Sequence, residues 1–260
     1  MELNDLINKI TCADCMDILK QLPDKCIDMI LCDLPYGVLN KKNESAKWDT
    51  IIPFKQLWES YERIIKDDGA IVLTASGMFT AELMMSNKKL WRYNLIWDKV
   101  LSTGFLNANK APLRSHEDVC IFYKKQPIYN PQMEKVGWHK KNHSRKVTGT
   151  DFGNNCYGNF NMLPVTESDE KFPKSIIKIT KPHPSVLIHP TQKPVALFEY
   201  LIKTYTNEND LVLDNCSGSG TTAIACMHTN RRFICIEKDK DYWQASCKRL
   251  EDEQRQGTLF

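Results

Sequence analysis

Short apolar runs alternate with helically spaced segments at both ends of the chain, and their order sets the fold expectation. Ile27-Asp-Met-Ile-Leu-Cys32 is nearly continuous in apolar residues, the pattern of a strand covered on both faces, as in a parallel sheet. From Phe54 to Ile65 the positions Phe54, Leu57, Trp58, Tyr61, Ile64 and Ile65 keep helical spacing, which ends before Asp67-Asp68-Gly69. Ala70–Thr74 reads as the next strand, followed by a helix through about Lys88, and Tyr93–Asp98 and Val119–Tyr123 read as further strands. Toward the other end, Pro194 opens a helix that runs through Lys203. Leu211–Asp214 is then a strand, Gly220–Thr229 a helix, Phe233–Ile236 a strand and Asp239 to about Glu253 a closing helix. Such short strand–helix–strand units predict an open, doubly wound α/β sheet.

The middle of the chain breaks the pattern. Gly104–Ser185 is rich in Asn, Gly, Pro and Lys and holds 13 Lys+Arg against 7 Asp+Glu, although the whole chain carries only +3. Within it, Lys135, Lys140, Lys141, Arg145 and Lys146 are interleaved with Trp138, His139 and His143, with no acidic residue between them. On charge alone this is either a solvated loop or an insert that contacts phosphates and offers aromatic rings to bases.

Composition narrows the class further. With 260 residues, 42% of them apolar and 26% charged, the chain is long enough for one domain with a sizeable insertion, and it is not of disordered composition. No run approaches the roughly 18 apolar residues of a membrane helix, and Met1-Glu2-Leu3-Asn4-Asp5 does not resemble a secretory leader, so a soluble cytoplasmic protein is expected. Of ten cysteines, Cys12 and Cys15 have the spacing of half a zinc site, but no second pair completes four ligands. Free, buried thiols in a reducing compartment, and no metal, are the expectation.

Two loops carry candidate chemistry. Asp214-Asn-Cys-Ser-Gly218-Ser-Gly220-Thr-Thr222-Ala223 places an acid at a strand end, a glycine-rich turn after it and then a helix N-terminus with unpaired N–H groups. Gly218 to Ala223 fits the G-x-G-x-x-A spacing, and Glu237 ends the next strand, where it is placed to accept bonds from ribose hydroxyls. A P-loop is excluded because no Lys follows the last glycine. Asp214 would repel a pyrophosphate, whereas it suits a ligand with an ammonium group, such as S-adenosylmethionine. A glycine-rich turn with an acidic cap is the plainer alternative. The second loop, Asp33-Leu34-Pro35-Tyr36-Gly37, combines an acceptor, a proline-fixed backbone and an aromatic at a strand's carboxyl end. Alternatively it is an Asp-initiated turn whose Tyr packs in the core.

These residues bear a family resemblance. Asp33-Leu-Pro-Tyr36 resembles the D-P-P-Y catalytic motif of exocyclic-amino DNA methyltransferases, and Asp214–Thr222 resembles their D-P-F-x-G-S-G-T-T cofactor loop. His189-Pro-Thr-Gln-Lys-Pro194 is similar to the segment that completes their methionine pocket. The order of motifs is that of the permuted beta group, and the likeness extends to Trp48, Ile52-Pro-Phe, Asp67-Asp-Gly and Glu117 with Phe122-Tyr-Lys. Leu34 departs from the family's first proline, and Asn215-Cys216 from its Pro-Phe.

The resemblance implies a mostly parallel, Rossmann-like methyltransferase sheet with a catalytic half (1–103), a target-recognition insert (104–185) and a cofactor-binding half (186–260). It implies S-adenosylmethionine as cofactor and the N6 amine of adenine in double-stranded DNA as target, reached by flipping the base out of the helix. In the family an Asp in this motif tends to accompany adenine and a Ser cytosine; cytosine-N4 transfer is the nearest alternative. A decayed DNA-binding module and a nicotinamide-dependent oxidoreductase are the alternatives of other classes. By resemblance, Asp33 and the Leu34 carbonyl accept from the amine, Pro35 fixes the loop and Tyr36 stacks on the base. Asp14, His189, Lys193, Asp214, Cys216, Ser217, Gly218, Ser219, Gly220, Thr221, Thr222 and Glu237 are the expected cofactor residues. For Asp14 a helix N-cap is an equal reading, and for Lys193, expected at the methionine carboxylate, a solvated residue before a helix. Lys135, Lys140, Lys141, Arg145 and Lys146 become the expected DNA contacts. A homodimer, a separate restriction endonuclease and a bacterial or phage-like setting complete the expectation.

Overall fold

In the computed structural model, which describes residues 2–39, 48–135, 169–183, 185 and 187–257, strands and helices alternate as the apolar pattern predicts. The first half contains β1 (Lys9–Cys12), α1 (Cys15–Gln21), β2 (Ile27–Asp33), α2 (Phe54–Ile64), β3 (Ile65–Ala75), α3 (Met78–Ser86), β4 (Trp91–Thr103) and β5 (Arg114–Phe122). Two-residue strands β6 (Glu134–Lys135) and β7 (Glu170–Lys171) follow, then β8 (Ile176–Lys178), α4 (Val195–Tyr205), β9 (Leu211–Asp214), α5 (Thr221–His228), β10 (Arg232–Glu237) and α6 (Lys240–Gly257).

Eight strands form one sheet in the order β1-β10-β9-β2-β3-β5-β4-β8. From β1 to β3 every pairing is parallel. β5 runs antiparallel between β3 and β4, because no crossover helix lies between Thr103 and Arg114 to turn the chain back. The continuous apolar runs are explained by two cores, one on each face. Ile30 and Cys32 of β2 face one core with Leu73 of β3 and Leu213 of β9, closed by Leu57, Trp58 and Tyr61 of α2. Met29 and Leu31 face the other with Val72 and Val212, closed by Phe198 and Leu201 of α4 and Ala223 and Ile224 of α5.

β2 and β9 lie side by side at the centre, yet the chain leaves β2 toward the first core and leaves β9 toward the second. Such a divergence opens a crevice beyond the strands' carboxyl ends, where α/β sheets hold ligands.

The chain divides into two compact units, Met1–Asn130 with Lys174–Phe260, and Pro131–Pro173. In the smaller, β6 and β7 pair antiparallel, with Glu134 opposite Lys171 and Lys135 opposite Glu170. The expected insert of 104–185 is therefore broader than the separate unit. β5 and β8 fall within that range but hydrogen-bond into the main sheet, with Val119 and Ile121 buried in its core. The nine cysteines among the described residues are free thiols. No described helix is long and apolar enough to cross a membrane.

Candidate active site

The loop after β2 is held by partners distant in sequence. Asp33 Oδ1 accepts from the Thr74 hydroxyl at the end of β3 and, at 2.9 Å, from the Tyr36 hydroxyl, which also lies 3.2 Å from Thr74 Oγ1. Asp33 Oδ2 accepts from the ammonium of Lys193 at 2.6 Å. Leu34 turns its side chain into the first core, which gives a bulky apolar residue a place at the position where the family has proline. The Tyr36 ring stacks on Phe79, with centroids 4.8 Å apart and planes at 28°. Burial, then the charges of Asp33 and Glu117, hold its phenol well above the ordinary value, so the hydroxyl remains a donor.

Asp49 fixes the chain that follows. Its buried carboxylate accepts from the backbone N–H groups of Gly37 at 2.9 Å, Val38 at 2.7 Å and Leu39 at 2.6 Å. Gly37 has φ +68°, and a Cβ there would lie 2.8 Å from Ile51 Cγ1, so the turn requires glycine.

The loop after β9 is built around a buried acid. Asp214 accepts from the Thr222 hydroxyl and, at 3.1 Å, from the Cys216 N–H. Burial still pushes its carboxyl up to about 7 against those bonds. The Gly218 N–H donates to Glu237 Oε2 at 2.7 Å and the Asp239 N–H to Glu237 Oε1 at 2.8 Å. Glu237 is nevertheless raised, again by burial first. Gly220 begins α5 at φ +73°, where a Cβ would meet Ser246 at 3.1 Å and Ile10 at 3.2 Å. Ser219 and Thr221 bond to each other, and Thr221 also donates to the Lys193 carbonyl at 3.2 Å, which ties this loop to the segment before α4. The Ser217 hydroxyl is buried without a hydrogen-bond partner.

His189 packs against Trp48 at 4.6 Å and Tyr242 at 4.3 Å, and burial pushes its imidazole down to about 4. Neutral His189 is therefore part of an aromatic cluster beside Gly218. Asp14 caps α1 through the Met16 N–H at 2.9 Å and pairs with Lys238 at 2.8 Å. Asp14 also lines the cavity.

That cavity measures about 1350 Å³ and is lined by Asp33–Tyr36, Asp214, Cys216–Ser219, Glu237 and the His189–Lys193 segment. Of the sixteen residues expected in the catalytic and cofactor sites, only Gly220 and Thr222 lie behind its wall. Ligand pockets typically occupy roughly 300–1,000 Å³, so the space admits more than one small ligand. Lys193 is not solvated: it lines the cavity and lies buried between Asp33 and Glu117. Of the expected DNA contacts, Lys135 lies in β6, exposed, while Lys140, Lys141, Arg145 and Lys146 lie outside the described residues. Among the described residues no group of three or more acidic, His or Cys side chains could hold a metal. Thr74 and Asp49 were not anticipated, because nothing local in sequence ties them to the motif loops.

The sequence model of the N6/N4-type DNA methylase family matches residues 27–248. Among similar curated proteins, the Type II methyltransferase M.HpaI of Haemophilus parainfluenzae is 26% identical over 250 residues, covering 94% of this chain and 74% of that protein. The Type II methyltransferase M1.MboII of Moraxella bovis is 26% identical over 258 residues, covering 91% and 94%. Among solved structures, the M1.HpyAVI–SAM complex superposes with a TM-score of 0.62 at 24% identity over 93% of this chain and 98% of that one. The cytosine-N4-specific PvuII DNA methyltransferase gives 0.66 at 16% identity over 95% and 91%.

Proposed function

The chain belongs to the N6/N4 DNA methylase family, and from that premise we propose that it transfers a methyl group from S-adenosylmethionine to the N6 amine of adenine in duplex DNA. The observation that carries this reading is a single cavity holding both the Asp33–Tyr36 loop and the Asp214–Glu237 side of the sheet. One side offers acceptors for an amine; the other offers an acid, an unpartnered buried hydroxyl on Ser217 and a second acid.

The residues of the second side fit the cofactor. Asp214 would pair with its amino group, Ser217 would find the partner it lacks and Glu237 would accept from its ribose hydroxyls. When bound, the cofactor supplies a methyl group already activated on a sulfonium sulfur.

The remaining work falls to the chain. The exocyclic amine of adenine is a poor nucleophile because its lone pair is delocalised into the ring. Asp33 Oδ2 and the Leu34 carbonyl would accept its two N–H bonds and favour the tetrahedral nitrogen that attack requires. Pro35 fixes the direction of that carbonyl, and the Asp49 anchor keeps the loop in place. Tyr36, backed by Phe79, would stack on the flipped base, a contact of roughly 1–3 kcal/mol against an extrusion cost of a few. The 104–185 region, including the smaller unit, would read the target, with Lys140, Lys141, Arg145 and Lys146 on phosphates. As in Type II systems, a separate endonuclease would cut the unmodified site, and the methyltransferase would act as a homodimer in the cytoplasm.

The test is methyl transfer from labelled S-adenosylmethionine to genomic DNA, wild type beside Asp33→Ala, with the product nucleoside identified by mass spectrometry. N6-methyladenine that disappears in the variant is the expected result. N4-methylcytosine would move the target, and no product from the wild type would overturn the reading.

A further inference from the structure

Lys193, expected at the carboxylate of the cofactor, is paired in the structure with the Asp33 carboxylate. Lys193 Nζ lies 2.6 Å from Asp33 Oδ2 and 3.3 Å from Glu117 Oε2, with its side chain 7% exposed. Glu117 Oε1 lies 3.3 Å from the ammonium of buried Lys99. A carboxylate presents about four acceptor positions. On Asp33, Oδ1 faces the Thr74 and Tyr36 hydroxyls, whereas Oδ2 takes Lys193 and keeps one position open.

We propose that Lys193 and Glu117 are positioning residues for methyl transfer: Lys193 fixes Asp33 with one Oδ2 position open to the amine, and Glu117 balances the charge of Lys193. The inference rests on Asp33 being the acceptor for the exocyclic amine. As the new N–C bond forms and the sulfonium S–C bond breaks, its electron pair returning to sulfur as a neutral thioether, the amine nitrogen turns cationic and then releases one proton to water. A lone ammonium beside the accepting oxygen would oppose that charge, and Glu117 cancels the opposition. Burial disfavours a charged Lys193, yet the two carboxylates outweigh it and hold its ammonium above the ordinary value. The other groups around Asp33 are the hydroxyls of Thr74 and Tyr36, the ammonium of Lys99 beyond Glu117, the acid of Asp214, lifted to about 7, and the imidazole of His189, pushed down to about 4; the last two are present in wild type and variants alike.

The two residues make opposite predictions. In Lys193→Gln, Asp33 loses a neighbouring cation, so the acid limb of the single-turnover rate moves to higher pH. The rate plateau falls roughly 10- to 100-fold, and S-adenosylhomocysteine binds within about threefold of wild type. Lys193→Arg keeps the limb in place and recovers much of the rate. In Glu117→Gln, Asp33 loses a neighbouring anion, so the limb moves to lower pH while the rate again falls. Packing damage alone would not move the limb in opposite directions. Limbs unmoved in both variants would overturn the proposal. So would at least tenfold weaker S-adenosylhomocysteine binding in Lys193→Gln with its limb in place, which would put Lys193 on the methionine carboxylate. If Lys193→Gln does not fold, the downward shift in Glu117→Gln decides. A wild type that turns over separates failure here from failure of the functional reading; a wild type without product overturns both.

Discussion

Replacing Asp214 with Asn should make the protein progressively more stable than wild type as pH rises. Burial lifts the Asp214 carboxyl from its ordinary 3.8 to about 7, so the folded state holds a proton that the unfolded chain releases. A raised folded value contributes stability that is fully present below pH 3.8 and is lost as pH rises through about 7. Between pH about 5.5 and about 8.5 the unfolded carboxyl is ionised throughout, while the folded one loses its proton. The wild type therefore loses roughly 1.5 units at about 1.36 kcal/mol each, or about 2 kcal/mol, that Asn cannot lose. Glu237 is present in both proteins and cancels. Asn at this position keeps one oxygen for the Cys216 N–H and turns its NH2 to the Thr222 hydroxyl, which then accepts; that change is the same at every pH, so the pH dependence isolates the charge. Urea denaturation of both proteins, ligand-free, at the two pH values measures the difference. A gap that stays constant with pH would refute the reasoning, since it would mean that the buried acid does not change its proton count there. The same charge makes a second readout: S-adenosylhomocysteine should bind the wild type more tightly as pH rises toward 8, because the ionised acid is the form that pairs with an ammonium.

Three further perturbations test other parts of the site. Asp49→Ala frees three backbone N–H groups at Gly37, Val38 and Leu39 and should cost about 2–4 kcal/mol in chemical denaturation, with Asp49→Asn costing less than half as much. Gly220→Ala, at φ +73° against Ser246 and Ile10, should raise the dissociation constant of S-adenosylhomocysteine at least tenfold by calorimetry while leaving nonspecific DNA binding unchanged. Charge reversal of Lys140 and Lys141 should weaken binding to all DNA sequences and flatten the salt dependence by about 2 in log–log slope. An unchanged slope would remove both lysines from the phosphate contacts.

What was legible in the sequence follows the range of the interactions involved. β9, Leu211–Asp214, has the bounds that its apolar run predicts, and α2 differs by one residue, because burial on a strand or helix face is recorded locally. The two motif loops were legible for the same reason: glycine, proline and acid positions within ten residues define each turn. The antiparallel course of β5 was not, since a strand's apolar run does not state its direction. The carboxylates that flank Lys193 were not legible either. Its sequence neighbours say only that it precedes a helix, while its charge is placed by a carboxylate 160 positions away. Asp49 and Thr74 escaped notice because polar residues become site residues only when the fold supplies their partners.

The central pairing of β2 with β9 also bears on how the chain acquires its shape. Met29 meets Val212 and Ile30 meets Leu213, while β1 finds its strand neighbour in β10, with Lys9 opposite Ile234. A chain emerging from the ribosome therefore carries β1 and one edge of β2 without partners until β9 and β10 are made. Contacts this distant in sequence are slow to close, and they leave apolar strand edges open to association meanwhile. Because the crevice between Asp33 and Asp214 forms at that same late pairing, a ligand bound there acts only after that closure. It would lengthen the lifetime of the folded state without hastening its arrival.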